Sequence, residues 1–199
     1  MRDLLVIGIM LAGGGYALHR PWVGVLFWTW VSIMNPHRYC YGFALDAPVA
    51  AIAAGSTLLG FLITSERRSP FKGKEVGAFL AFCIWITLSW LVGLDVAGDY
   101  PQWNKVMKIN LMCFVALALL HTKKHIFLLL WVCVGSLTLL GIKGGVFTLL
   151  SGGSYRVWGP PGTFIEDNNE FAVALIMTIP LLRFLQLQVS NRWGRHAFT

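Results

Sequence analysis

The chain has 199 residues, is 56% hydrophobic and only 13% charged, and carries a net charge of +7 with a mean hydropathy of +0.65. Soluble domains hold roughly 25% charged residues, so this composition excludes an ordinary soluble domain and points to an integral membrane protein. The positive charge is not a nucleic-acid signature, because the basic residues lie in short stretches between apolar segments, the pattern that orients membrane proteins.

A membrane span needs about 20 apolar residues, or about 17 at the short end. In chain order the candidates are residues 4–18, 22–34, 45–64, 76–94, 106–120, 126–150 and 171–189. They predict an all-α, polytopic transmembrane helix bundle of about seven spans, with residues 1–199 as a single membrane region. The first two candidates are short and separated only by His19, Arg20 and Pro21, so they read as two thin spans or as a hairpin that does not cross. Cys83, Cys113 and Cys133 fall within apolar runs and read as small hydrophobes, while Cys40 stands alone in a loop. No disulfide framework, metal-ligand spacing, nucleotide loop or cofactor motif is present.

Lysine and arginine counts set the expected orientation. One set of loops holds Arg67, Arg68, Lys72 and Lys74, then Lys123 and Lys124, then Arg183, Arg192 and Arg195. The other holds Arg38, Lys105, Lys108 and Arg156. The richer set is expected in the cytoplasm, which places loops 35–44, 95–104 and 151–169 outside it. Strict alternation then puts Met1 outside, and a non-crossing hairpin would put it inside.

The last of these loops is the most informative stretch. Arg156 offers a planar fork of donors suited to phosphate. Gly152, Gly153 and Gly159 allow close approach of a ligand to the backbone, Pro160 and Pro161 stiffen the loop, and Tyr155 and Trp158 suit an interface or a sugar face. The same residues also describe an ordinary interfacial loop. Asp167 with Glu170 resembles a helix-capping pair, and Asn168 and Asn169 suit sugar hydroxyls or Arg156.

Lys143 is an ionisable group inside an apolar run, a functional signal by default. At 1.5 Å per residue it lies roughly 10 Å below the end of its segment, among Gly141, Gly144 and Gly145. Snorkelling to the headgroups or pairing with a buried acid are the other readings. Lys105 and Lys108 share a face and are expected at the start of a helix, where its dipole attracts an anion; lipid phosphates would satisfy them equally. Residues 35–38, Asn-Pro-His-Arg, form a compact polar turn. His37 alone does not make a catalytic base, and His121 and His125 read as solvated. Arg38, Lys105, Lys108, Lys143 and Arg156, with few acids to cancel them, suit a diphosphate arriving sideways from a lipid.

Residues 156–172, R-V-W-G-P-P-G-T-F-I-E-D-N-N-E-F-A, resemble the Arg-x-x-Gly … Asn-x-x-Ala loop of the O-antigen ligase and polymerase superfamily. With M-R-D-L-L, W-T-W-V-S-I-M-N-P-H-R, G-I-K-G-G and G-G-S-Y-R-V-W-G-P-P-G, the chain resembles the O-glycosylation ligases associated with exosortase A over nearly its whole length. That resemblance implies a metal-independent glycosyltransferase of the bacterial inner membrane. It moves a glycan from undecaprenyl diphosphate to a periplasmic acceptor, protein or glycan. Arg156 would hold the diphosphate, supported by Lys143. Where the broader family often has Pro-Asn, this chain has Asp167-Asn168. Members run to about a dozen spans, with an acceptor-activating histidine in a later periplasmic loop; this chain stops at Thr199, so the expectation is an N-terminal half, inactive alone. A polysaccharide polymerase using the same donor, or a transporter of polyprenyl-linked glycans with Lys143 on its path, fits the same residues.

Overall fold

The computed structural model describes residues 2–71 and 73–189. Lys72, Arg192 and Arg195, counted above toward orientation, lie outside the described residues. Among the described residues all regular structure is helical: α1 (Arg2–His19), α2 (Pro21–Met34), a 3₁₀ turn (Pro36–Tyr39), α3 (Val49–Ile63), α4 (Lys74–Leu91), α5 (Val96–Leu119), α6 (Lys123–Leu150) and α7 (Asn168–Gln188).

Small residues let the first three helices close on one another. A Cβ on Gly24 would lie 2.8 Å from the Cβ of Ala17 and 2.5 Å from Thr57 Oγ1; one on Gly60 would meet the Ala17 carbonyl at 2.6 Å. Close backbone approach of this kind drives helix association where lipid removes the hydrophobic incentive. Val6, Met10, Val31, Val49 and Ala53 fill the seam, and Cys40 and Ala44 cover one end of it. Val25 of α2 packs with Val115 and Leu119 of α5 at the opposite end. Helix α4 packs on α5, and α6 bridges α2 and α7.

Asp3 of α1 accepts hydrogen bonds from Gly42 N (3.1 Å) and Ala44 N (3.2 Å), whereas Arg20, after α1, bonds Glu66. The helices thus run alternately between two ends. One, the loop end, carries Arg2, residues 35–48, the α4–α5 turn and residues 151–167. The other, the basic end, carries Arg20, residues 64–71, the start of α4, the α5–α6 turn and the end of α7. The order of ends is that of strict alternation from the first helix.

Helices α4, α6 and α7, of 18, 28 and 21 residues, are long and apolar enough to cross a membrane. Helices α2 and α3 are apolar but have 14 and 15 residues, about 21–23 Å at 1.5 Å per residue against a hydrocarbon core of about 30 Å. Trp85, Leu149 and Ile176 stand exposed on the long helices, as lipid-facing positions do.

The largest departure from the expected elements is α5, which begins at Val96 where a loop over 95–104 was predicted. Asp95 caps it, accepting from Gly98 N at 2.8 Å, and Trp90 Nε1 donates to the Val96 carbonyl at 2.9 Å. Trp103 stacks on Trp90 with centroids 4.3 Å apart. Aromatic packing on α4 therefore carries the helix through Pro101, a residue that ordinarily breaks one.

Candidate functional site

The loop between α6 and α7 begins as a helix termination. Gly152 and Gly153 have φ of 62° and 76°, and Gly153 N donates to the Thr148 carbonyl at 3.0 Å. This is the left-handed exit that glycine favours, so these two glycines end α6. Tyr155 then lies against Phe147, and Val157 packs over Gly144, where a Cβ would come within 2.7 Å of it. Arg156, between them, is held over the last turns of α6, close in the chain's path to Lys143. It makes no hydrogen bond or ion pair with a described residue, and its side chain is exposed.

From Trp158 onward the loop closes on itself. Gly159 N donates to the Glu166 carbonyl at 2.9 Å, and Glu166 Oε2 accepts from Gly162 N at 2.7 Å. Thr163 Oγ1 donates to the Pro160 carbonyl at 2.7 Å, and Pro160 is fully buried. A Cβ on Gly159 would collide with the Ile165 carbonyl oxygen, so glycine is required there by the loop's own fold.

The closed loop docks on the 35–38 turn. Asn35 has φ 45°, is buried, and donates from Nδ2 to the Pro161 carbonyl at 2.9 Å. Gly162, with φ 76°, lies beside the Arg38 guanidinium, which a Cβ would approach to 3.5 Å. Arg38 also faces Asp46 at 3.9 Å, a long and solvent-exposed pair. Lys105 Nζ sits 4.1 Å from the centroid of the Phe164 ring, and Lys143 Nζ sits 4.0 Å from that of Tyr39. One end of the molecule thus gathers Arg38, Lys105, Lys143 and Arg156 from four separate chain segments. Trp158 stands exposed at this end, at 58%, and Lys108 is exposed about midway along α5; neither has a protein partner among the described residues.

Several expectations are corrected by this geometry. Lys105 and Lys108 lie well inside α5, beyond its first two turns, so the helix dipole does not act at them. Gly141 and Gly144 do not clear space for Lys143; they admit Leu175 of α7 and Val157 of the loop. The expectation of few acids also fails. Asp3, Asp46, Asp95, Asp99, Glu166, Asp167 and Glu170 all lie at the loop end. Asp3, Asp95, Asp167 and Glu166, however, accept from backbone N–H groups. Among the described residues the Arg38–Asp46 contact is the one ion pair at this end. The cations therefore rest on aromatic faces or in the open, and most carboxylates are engaged by the backbone.

Asp167 caps α7, accepting from Asn169 N at 2.9 Å. Asn168 and Asn169 belong to the first turn of that helix, not to the loop before it. His37 is buried, with an Nδ1 that finds no partner. Burial pushes its pKa below the ordinary 6.5, the Arg38 charge adds to the effect, and Asp46 opposes it, so the imidazole is neutral at neutral pH.

One family model matches residues 1–189. The chain belongs to DUF5935, a family of unknown function. No curated protein and no solved structure matches it.

At the basic end the structure reveals a feature that the sequence did not suggest. His121 and His125 are not freely solvated. They line a cavity with Arg20, Trp22 and residues 65–68, and His125 is stacked on Trp22 with centroids 4.3 Å apart. The i, i+4 spacing of the histidines was legible; the partner tryptophan, a hundred residues away in sequence, was not.

Proposed function

We propose that the loop end binds the diphosphate of a polyprenyl-linked glycan donor and that the protein serves a membrane glycan ligase of the O-antigen ligase type. The observation that carries this reading is the docking of the 151–167 loop on the 35–38 turn. It gathers cations from four chain segments around a partly open surface while the local carboxylates hold backbone N–H groups. Arg156 is the principal diphosphate ligand, because its fork is uncommitted. Lys143 and Lys105 are supporting cations whose aromatic seats hold them in place. Arg38 fixes the docked loop and adds charge. Trp158 offers a ring face to a sugar, and Asn168 and Asn169 offer amides to its hydroxyls. Gly159 and Asp167 shape the loop and the helix start.

In the transfer step the bond between the anomeric carbon and the donor phosphate oxygen breaks, and the electron pair leaves with the diphosphate. The acceptor hydroxyl oxygen forms the new glycosidic bond and gives up its proton to a general base. The cations stabilise the charge that develops on the departing diphosphate, without a metal ion.

In this reading the helices make seven passes of the bacterial inner membrane, with the loop end periplasmic. Among the described residues the basic end carries Arg20, Arg67, Arg68, Lys74, Lys123, Lys124 and Arg183, against Arg2, Arg38 and Arg156 at or beside the turns of the loop end, the lysine and arginine asymmetry that marks a cytoplasmic side. Chromosomally encoded Arg156→Ala is expected to abolish glycan transfer without lowering the protein's membrane abundance. Normal transfer by that strain would remove the assignment.

A further inference from the structure

The cavity at the basic end lies far from the donor loop and is built from different residues. It has a volume of about 540 Å³ and is lined by Arg20, Trp22, Ser65, Glu66, Arg67, Arg68, His121 and His125. Its walls are fixed from three directions. Arg68 N donates to the Ala118 carbonyl at 3.0 Å, tying the α3–α4 connection to the end of α5. Thr122 caps α6, accepting from His125 N at 3.2 Å. Trp22 and His125 stack at an interplanar angle of 13°.

The charge in this cavity is not balanced. Arg20 Nη1 pairs with Glu66 Oε1 at 3.2 Å, which neutralises one arginine. Arg67 and Arg68 have no carboxylate partner among the described residues; the Arg67 guanidinium lies over the Phe61 ring at 5.9 Å. Both histidines line the cavity, although the Nδ1 of each is closed off from its space and makes no protein hydrogen bond. Two surplus guanidinium groups, two imidazoles in the cavity wall and a stacked Trp22 form a recognition set for an oxyanion of about two charges. The volume exceeds that of a simple ion and lies within the range of small-ligand sites.

We propose that this cavity is a second binding site, specific for a phosphate ester, at the end of the bundle opposite the donor loop. Arg67 and Arg68 supply the charge, His121 and His125 donate to the ester oxygens, and the Arg20–Glu66 pair closes the rim. The phosphate comes from a phospholipid headgroup at the membrane surface or from a soluble phosphate ester. The chemistry at the protein is the same in both cases.

The test uses the whole chain purified in detergent. Retention of phosphatidylglycerol, with phosphatidylcholine as the control lipid, is followed by native mass spectrometry. Binding of glycerol 3-phosphate and inorganic phosphate is followed by calorimetry. The wild-type protein is compared with Arg67→Gln/Arg68→Gln and with His125→Phe, which keeps a ring against Trp22 but removes the imidazole nitrogens. Selective phosphatidylglycerol retention that falls about tenfold in the double variant, and about threefold in His125→Phe, supports the site and gives it a lipid source. Binding of the soluble ester with the same losses supports the site and gives it a soluble source. If neither probe binds, or if the variants bind as wild type does, the proposal is overturned. Should the double variant fail to fold, His125→Phe decides alone, because its stacking is preserved.

Discussion

The two ends of this helix bundle handle charge in opposite ways. At the loop end, acids and bases occur in similar number, yet they scarcely pair: carboxylates of Asp3, Asp95, Asp167 and Glu166 bind backbone N–H groups, and Lys105 and Lys143 rest on aromatic rings. At the basic end, bases outnumber acids, and the arginines crowd one cavity with two histidines. Near-neutral totals at the first end thus conceal uncommitted cations, while the second end advertises its charge in the sequence. Counting charges locates an anion site poorly; finding which charges lack a partner locates it better.

The largest effect is expected from disrupting the loop's own fold. Gly159→Ala pushes a Cβ into the Ile165 carbonyl. It should cost about 3 kcal/mol or more, read as a fall in the thermal midpoint of the detergent-solubilised protein. An unchanged midpoint would mean that the loop is not closed as described. Arg156→Ala should leave that midpoint in place, because the side chain is exposed and makes no hydrogen bond or ion pair with a described residue, and should weaken undecaprenyl-diphosphate binding by about tenfold or more, read by calorimetry.

Smaller effects sharpen the contrast. Asp167→Ala removes the cap of α7 and should cost about 1 kcal/mol by the same thermal assay, with Asp167→Asn recovering most of it. A full loss of donor binding in Asp167→Asn would instead make the carboxylate a ligand. Tyr39→Leu removes the ring under Lys143 and should weaken donor binding about threefold, the scale of one cation–π contact. The smallest effect belongs to His37. Its pKa is depressed in the folded state, so its neutral form contributes stability above pH 6.5 that is lost as pH falls below that value. The thermal midpoint of His37→Gln should therefore depend less on pH between about 6.5 and 5 than that of the wild type; equal slopes would show that His37 protonates freely.

Much of the helical order was legible because it rests on local signals. Apolar runs over 126–150 and 171–189 became α6 and α7 with boundaries shifted by three residues at their N-termini. Asp167 could be read as a cap because capping is a short-range property. What escaped was whatever depends on a distant partner. The start of α5 needed Trp90 to stack on Trp103, which a proline and two lysines obscured. Gly144 read as empty space until Val157 filled it, and Gly152 and Gly153 read as ligand contacts until their φ values placed them in a helix exit. The candidate cations were visible as residues, but their seats on Tyr39 and Phe164 were set by tertiary docking alone. His121 and His125 gained their setting from Trp22, at the far side of the sequence.

The central claim is that Arg156 meets the donor diphosphate at the loop end. Its most direct test is calorimetric titration of undecaprenyl diphosphate into wild-type and Arg156→Ala protein in the same detergent. Binding that falls about tenfold or more in Arg156→Ala, with the thermal midpoint unchanged, is the predicted result. Equal affinity in wild type and Arg156→Ala would contradict it.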